Sequence, residues 1–358
     1  MRDLAAEVFM DILARLSSKD LVRSTCVSKE WKATIEDPQL AKTHLQRSIK
    51  TKSHPTILII PSNPIVNCVS INFSDTDMTY GKRLIIEQPW QHPPRLTSDK
   101  IFGYFNGLVC MHYGAGFGLW NPSIQKFKRI PSSPFSMFRF AKIHGGFGYD
   151  SVNVDYKLVG FVHLNTFCAV HSYSLKSGAW KSIQDLPLKG LVFDSHGVFL
   201  KRSLHWLTLQ EIDGERMLNI LTFDLASEEF CKIPLPVHIF PALISDPVCG
   251  WPSYSLVVVG GYLCIYLRET ESRVKAWIMR EYGVAESWSM LYSFDVQVHN
   301  SKPLLLSSCG KMVLLEENYS RLVWYDLQNG TRKMVQSPMA QSFYTTIICE
   351  ESIHLLGS

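Results

Sequence analysis

Aromatic residues seven positions apart recur along this chain at a long, nearly constant interval: Trp120 with Phe127, Tyr173 with Trp180, and Phe223 with Phe230. Trp277 with Trp288, and Tyr325, continue the series, so the leading aromatics stand 53, 50, 54 and 48 residues apart. Around each pair lie short alternating apolar runs bounded by Gly, Ser, Asn and Pro, the pattern of strands joined by tight turns. Residues 156–162 and 168–175 form two such runs, and the turn 176–178 leads into a third at 179–183; residues 203–209, 219–225 and 229–234 repeat them with the turn at 226–228. A fourth run precedes each trio, at 102–106, 145–150, 196–200, 255–259 and 303–308. No ten-residue amphipathic helix interrupts this pattern after about position 55.

Four strands repeated at about fifty residues is the grammar of kelch-type propeller blades. Five complete units fit between about 101 and 336. The remainder is split: residues 343–356 read as two strands without successors, whereas runs from Thr56, Cys68 and Arg83 lack an innermost strand. Pairing first and last strands removes exposed edges, so the expected fold is an all-β propeller of six four-stranded blades closed by its N- and C-terminal strands. An open sandwich, the bland alternative, gives no reason for a fixed long period.

Hydrophobic content of 46% and a net charge of +4 over 358 residues suit a large buried core and argue against nucleic acid as the main partner. Nine cysteines are scattered with no two closer than 15 residues, and CxxC or His-x-x-x-His patterns do not occur, so no metal site or cofactor is expected. An odd number of thiols within core strands fits a reducing compartment. No signal peptide is expected, and the run 256–267 is too short to span a bilayer. The Ala-Gly-Phe-Gly stretch at 115–118 lacks phosphate-loop spacing and precedes a strand. Asp-box turns, G-x-S-x-G and H-E-x-x-H are missing, which argues against catalysis.

The opening residues follow a helical period instead. Leu4, Val8, Ile12 and Leu16 share a face, reinforced by Leu13. Ser17 stands three residues before Asp20 as a capping pair. Leu21, Val22, Thr25 and Cys26 make a second stripe, and Ser28 precedes Trp31 and Ile35 until Asp37-Pro38 stops the helix. Three helices in about 40 residues bury too little to stand reliably alone, so the module must complete its core on a neighbouring domain or a partner.

Taken in order, Leu4-x-x-Glu7-Val8, Ile12-Leu13-x-x-Leu16, Lys19-x-Leu21-Val22-Arg23, Cys26-Val27-Ser28-Lys29-x-Trp31 and Asp37-Pro38 resemble the F-box motif. The rest looks like the F-box-associated domain expanded in land plants. Its matching segments include Asn106-Gly107-Leu108-Val109, Leu119-Trp120-Asn121-Pro122-Ser123, Gly146-Phe147-Gly148-Tyr149-Asp150, Leu204-His205-Trp206 and Tyr282-Gly283. The resemblance covers nearly the whole chain and implies an F-box at 1–45, a linker at 46–55 and the propeller at 56–358. It implies a cytoplasmic or nuclear, non-catalytic substrate receptor of a Skp-cullin-F-box ubiquitin ligase, with no membrane association. Leu4, Ala5, Glu7, Val8, Ile12, Leu13, Leu16, Leu21, Val22, Cys26, Val27 and Trp31 would meet the Skp adaptor, through which cullin is recruited. Ala5 and Ser17 stand where the family usually has proline. The alternative is a ubiquitin-independent propeller that binds protein or glycan, with a degenerate F-box.

Strand parity places the connections after each blade's second and fourth strands on one face, where the long segments 88–100, 131–144, 210–216, 234–252 and 268–273 gather. A protein substrate is expected there. Trp90, Phe135, Met137, Phe138, Arg139 and Trp251 would be its anchors, with Glu211, Asp213, Arg216, Arg268 and Glu271 as polar rim.

Overall fold

The computed structural model describes residues 2–50, 56–61, 68–73, 80–86, 101–113, 116–131, 133–137, 143–164, 167–187, 192–193, 196–212, 215–233, 235–236, 254–269, 273–295, 301–335 and 343–354. The N-terminal module holds four helices: α1 (Arg2–Leu13), α2 (Ser18–Ser24), α3 (Lys29–Ile35) and α4 (Pro38–Lys50). Three were expected. Asp37-Pro38 ends α3, and it also begins α4, because proline at a first helical position gives up an N–H that has no intrahelical acceptor. Asp37 caps the new helix by accepting from the Gln39 N–H at 2.7 Å. Ser17 and Ser28 cap α2 and α3, accepting from the N–H groups of Asp20 and Trp31 at 3.2 Å each. α4 runs through residue 50, so residues 46–50 of the expected linker are helical.

The remaining chain is all-β and propeller-like. Its strands are β1 (Thr56–Pro61), β2 (Cys68–Phe73), β3 (Tyr80–Ile86), β4 (Ile101–Phe105), β5 (Leu108–Tyr113), β6 (Gly116–Asn121), β7 (Lys126–Arg129), β8 (Ile143–Asp150), β9 (Asp155–His163), β10 (Phe167–Ser174), β11 (Ala179–Pro187), β12 (Val192–Phe193) and β13 (His196–Leu200). They continue with β14 (Ser203–Ile212), β15 (Glu215–Asp224), β16 (Glu229–Ile233), β17 (Tyr254–Val259), β18 (Tyr262–Arg268), β19 (Arg273–Met279), β20 (Trp288–Asp295), β21 (Ser301–Leu306), β22 (Met312–Glu317), β23 (Arg321–Asp326), β24 (Arg332–Val335) and β25 (Phe343–Cys349).

Strands β4–β7, β8–β11, β13–β16, β17–β20 and β21–β24 form consecutive antiparallel quartets. A sixth quartet has the order β25-β1-β2-β3, with Ile57 opposite Ile348 and Ile59 opposite Thr346. The C-terminal residues thus contribute one strand where two were expected; residues 350–354 leave the sheet. Leading strands touch in succession: β4 with β8, β8 with β13, β13 with β17, β17 with β21, β21 with β25, and β25 with β4. Where β8 meets β13 they pair in parallel over Gly145–His196 and Gly146–Gly197, which merges two quartets into one sheet.

The repeating aromatics are hairpin partners. Trp120 faces Phe127, Tyr173 faces Trp180 and Phe223 faces Phe230 across the third and fourth strands of their quartets. Trp277 and Trp288 depart from this: Trp277 stands opposite Met290 and Trp288 opposite Met279. The turns share one device. The residue after the leading aromatic accepts from a backbone N–H two or three positions on: Asn121 from Ser123, Ser174 from Ser177, Asp224 from Ala226, and Asp326 from Gln328, at 3.0, 3.0, 2.9 and 2.8 Å. Four positions after it the backbone turns left-handed, at Gln125, Gly178, Glu228 and Gly330. Tyr149 and Tyr156 obey the same rule, with Asp150 accepting from Val152 at 3.0 Å and Val154 at φ 54°.

Neighbouring quartets are pegged by buried polar groups. The Trp206 indole N–H on β14 donates to the Gly145 carbonyl on β8 at 3.0 Å. His205, on the other face of β14, reaches the next quartet: its Nε2 lies 2.7 Å from the Tyr282 hydroxyl and its Nδ1 3.2 Å from the Val198 carbonyl. A carbonyl only accepts, so Nδ1 carries the hydrogen and Nε2 accepts from Tyr282. Burial holds this imidazole at a pKa of about 4. Lys157 on β9 bridges quartets too, donating to Leu225 O at 2.6 Å and lying 3.1 Å from both Asp150 and Glu228. Desolvation alone would lower its pKa, but the two carboxylates more than offset that and leave it raised.

Candidate interaction surfaces

The helical module divides its apolar residues between two faces. Leu13, Leu21, Ile35 and Leu40 are buried and form one cluster with Ile124 and Ile353 of the β-domain. Phe9 and Trp31 pack at its margin, edge to face at 4.8 Å. On the other side Val8, Ile12, Val22 and Val27 are 53%, 52%, 37% and 63% exposed, with Glu7 and Cys26 also exposed. Of the twelve residues expected to meet an adaptor, Leu13 and Leu21 are therefore corrected: a side chain with no accessible surface offers nothing to a partner. Leu16 and Trp31 are half-buried. Leu4 and Ala5 fall in α1, and their side chains lie outside the described set. Ser17, standing for a usual proline, caps α2 and donates to the Asp20 carboxylate at 2.7 Å, so the substitution carries its own replacement for a preset backbone.

Residues 350–354 run between the helices and the quartet β4–β7. Glu351 Oε1 accepts from both the N–H and the hydroxyl of Ser18, each at 2.6 Å, at the start of α2. Asn121 Nδ2 donates to the carbonyls of Ser352 and His354 at 3.1 and 3.2 Å. The His354 ring stands edge-on to Tyr156 at 5.4 Å, and Tyr156 in turn accepts from Asn106 Nδ2 at 3.1 Å. Gly107, at φ 75°, has no space for a Cβ, which would come within 2.4 Å of Ser352 Cβ and 2.6 Å of the Glu350 carbonyl. Desolvation pushes the Glu350 carboxyl up and the His354 imidazole down. The motifs at 106–109 and 119–123 are thus a cradle for the C-terminal segment. Sequence reasoning missed Ser18, Ile124, Glu351 and Ile353; the one available signal was the polar Asn-Gly and Asn-Pro-Ser turns between otherwise apolar strands.

Ile124 lies in the turn from β6 to β7, so the helices sit where first-to-second and third-to-fourth strand turns emerge. The other end carries the β14–β15 and β18–β19 connections. Glu211 and Arg216 are cross-strand partners there, with side chains outside the described set. Arg268 ends β18 half-buried, beside a Glu269–Lys275 pair at 2.5 Å and an Arg273–Asp295 pair at 2.8 Å. Met137 closes a short 3-10 helix, Pro134–Met137, and its side chain is likewise undescribed. Trp90, Phe138, Arg139, Asp213, Trp251 and Glu271 lie outside the described residues.

Phe135 is corrected from surface anchor to core. It is 2% exposed and packs edge-on against His171 and Trp180, at 5.3 and 5.7 Å. Gly160 makes the room, since a Cβ there would stand 2.6 Å from the Phe135 ring.

No group of three or more His, Cys, Asp or Glu side chains placed to hold a metal ion occurs among the described residues, and none of their helices is long and apolar enough to cross a membrane. Residues 57–354 match the family model described as F-box associated beta propeller domain, and residues 6–47 match the F-box-like model. Among curated relatives, the chain is 29% identical to F-box protein CPR1 of Arabidopsis thaliana, over 99% of this chain and 89% of that protein. It is 26% identical to the F-box/kelch-repeat protein At3g23880 of Arabidopsis thaliana, over 92% and 89% respectively.

Proposed function

We infer the function from one premise: the chain belongs to the family of F-box proteins that carry an F-box-associated β-propeller domain. On it we propose that the protein is the substrate-recognition subunit of a Skp-cullin-F-box ubiquitin ligase, active in the cytoplasm or nucleus and without chemistry of its own. The helices dock on a Skp-type adaptor, which brings cullin, and the propeller presents a target protein for ubiquitylation. We take the propeller to be a closed ring of six blades, a reading supported by the succession of leading-strand contacts and the β1–β25 pairing.

The observation that carries the reading is the outward apolar stripe. Val8, Ile12, Val22 and Val27 are open to solvent although α1 and α2 bury Leu13 and Leu21. An apolar face left over after a module has packed on its own domain is what helix-groove docking requires. The target belongs on the far face, where the β14–β15 and β18–β19 hairpins turn away from the helices, so that adaptor and target occupy the two ends of the wheel.

Co-purification with a recombinant Skp-type adaptor tests this. Ile12→Asp removes capture while leaving the strand signal and melting temperature near those of the parent chain. Leu13→Asp does not discriminate, because it disrupts a buried cluster. Undiminished capture by Ile12→Asp and by Val8→Asp would overturn the adaptor reading and leave the ubiquitin-independent binding scaffold.

A further inference from the structure

We propose that residues 350–354 are a strap that completes the helical module from the far end of the chain, so that the order of the adaptor-facing stripe depends on the C-terminal segment. The segment has contacts on both sides and no regular structure of its own. Toward the helices, Ile353 is 2% exposed within the cluster of Leu13, Ala14, Leu21, Ile35, Leu40 and Ala41, and Glu351 ties down the first turn of α2 through two hydrogen bonds. Toward the strands, Asn121 holds its carbonyls, Tyr156 packs on His354, and Gly107 allows the backbone to approach.

The four helices bury few large side chains of their own, so removing Ile353 takes away a substantial share of a small core. The propeller loses little by comparison, because β25 ends at Cys349 and its pairing with β1 does not involve the strap. Helical order and strand order are therefore separable. Where the adaptor is concerned the inference rests on the reading above; where helical order is concerned it does not.

Hydrogen exchange on the full chain decides it. In Ile353→Ala and in Glu351→Ala, amides of α1–α4 exchange at least about tenfold faster than in the parent chain, while those of β14 and β15 are unchanged. Glu351→Gln keeps an oxygen for Ser18 and restores most of the protection. Helical amides that stay as slow as in the parent, or strand amides that accelerate by the same factor as the helical ones, would each overturn the strap. Adaptor capture is measured in parallel, and Ile353→Ala weakens it although no adaptor-facing residue has changed. If Ile12→Asp leaves capture intact, the adaptor reading has failed; the exchange pattern still judges the strap.

Discussion

Phe230 finds its ring partner seven residues earlier in the chain, whereas Ser18 finds its carboxylate 333 residues later. The β-domain is made of hairpins that close locally and then peg to adjacent quartets through Trp206, His205 and Lys157. The helical module caps its helices locally and then relies on Ile124, Glu351 and Ile353 for the rest of its core and its orientation. The contrast lies in where each region finds its contacts: the β-domain supplies part of the helices' core, while the strand pairing within each quartet does not involve the helices.

The largest test of that asymmetry is Trp206→Ala. It removes a fully buried indole and its bond to Gly145, and it lowers propeller stability by about 4 kcal/mol. Chemical denaturation followed at strand and helix probes shows both transitions falling together, the reverse of the separable loss expected for Ile353→Ala. A strand transition that moves alone would mean the helices stand by themselves.

Acid acts next. His205 is neutral in the fold at a pKa of about 4, against about 6.5 in the unfolded chain, so the unfolded state binds more protons between those values. The stability it contributes is present above about pH 6.5 and is lost as pH falls toward 4, amounting to about 3 kcal/mol. His354 in the strap is lowered by burial as well and works in the same direction. Stability curves from pH 7.5 to 4.5 lose that part of their slope in His205→Gln at the strand probe, and a smaller part in His354→Gln at the helix probe. An unchanged slope in His205→Gln would show that the buried imidazole is not the titrating group.

The smallest effect is a gain. Val154 is β-branched and sits at φ 54°, in the turn position that Gly178 and Gly330 fill elsewhere. Val154→Gly relieves the strain and raises stability by about 0.5–1 kcal/mol, read as an upward shift in melting temperature of the strand transition. A loss instead would mean that the entropy of the added glycine outweighs the strain at this turn.

Much of the β-domain was legible because its rules are local. The spacing of Trp120, Tyr173 and Phe223 from their partners located three hairpins and the period between them. Tyr149 with Tyr156 has that spacing also, yet it stands outside the series because it spans the first two strands of a quartet and breaks the fifty-residue interval. At Trp277 the pattern misled, because Trp288 stands eleven residues on and the hairpin closes at Met279 opposite Trp288, which leaves Trp277 across from Met290. Pro38 reads as a stop, and it also starts α4. Helical periodicity collected Val8, Ile12 and Leu13 into one apolar set and Leu21 with Val22 into another, but the buried and open sides of either helix cannot be separated until the surface on which one side rests is known. That surface comes from Ile124 and Ile353, far along the chain, and so no local pattern could assign the faces. Phe135 failed for a related reason: the length of a connection does not say which of its aromatics turns inward.

The β1–β25 pairing has a consequence for how the protein is made. Ile86 ends the third strand of that quartet, and Phe343 begins its last partner 257 residues later. At typical synthesis rates of about 5–20 residues per second, the inner edge of β1 waits roughly 13–50 s on the ribosome before its partner is translated. During that interval Ile57, Leu58, Ile59 and Ile60 form an apolar strand without its neighbour, a template for aggregation. A message that terminates before codon 343 yields a product in which that edge never finds its native mate, which makes such products ready substrates for chaperones and proteolysis.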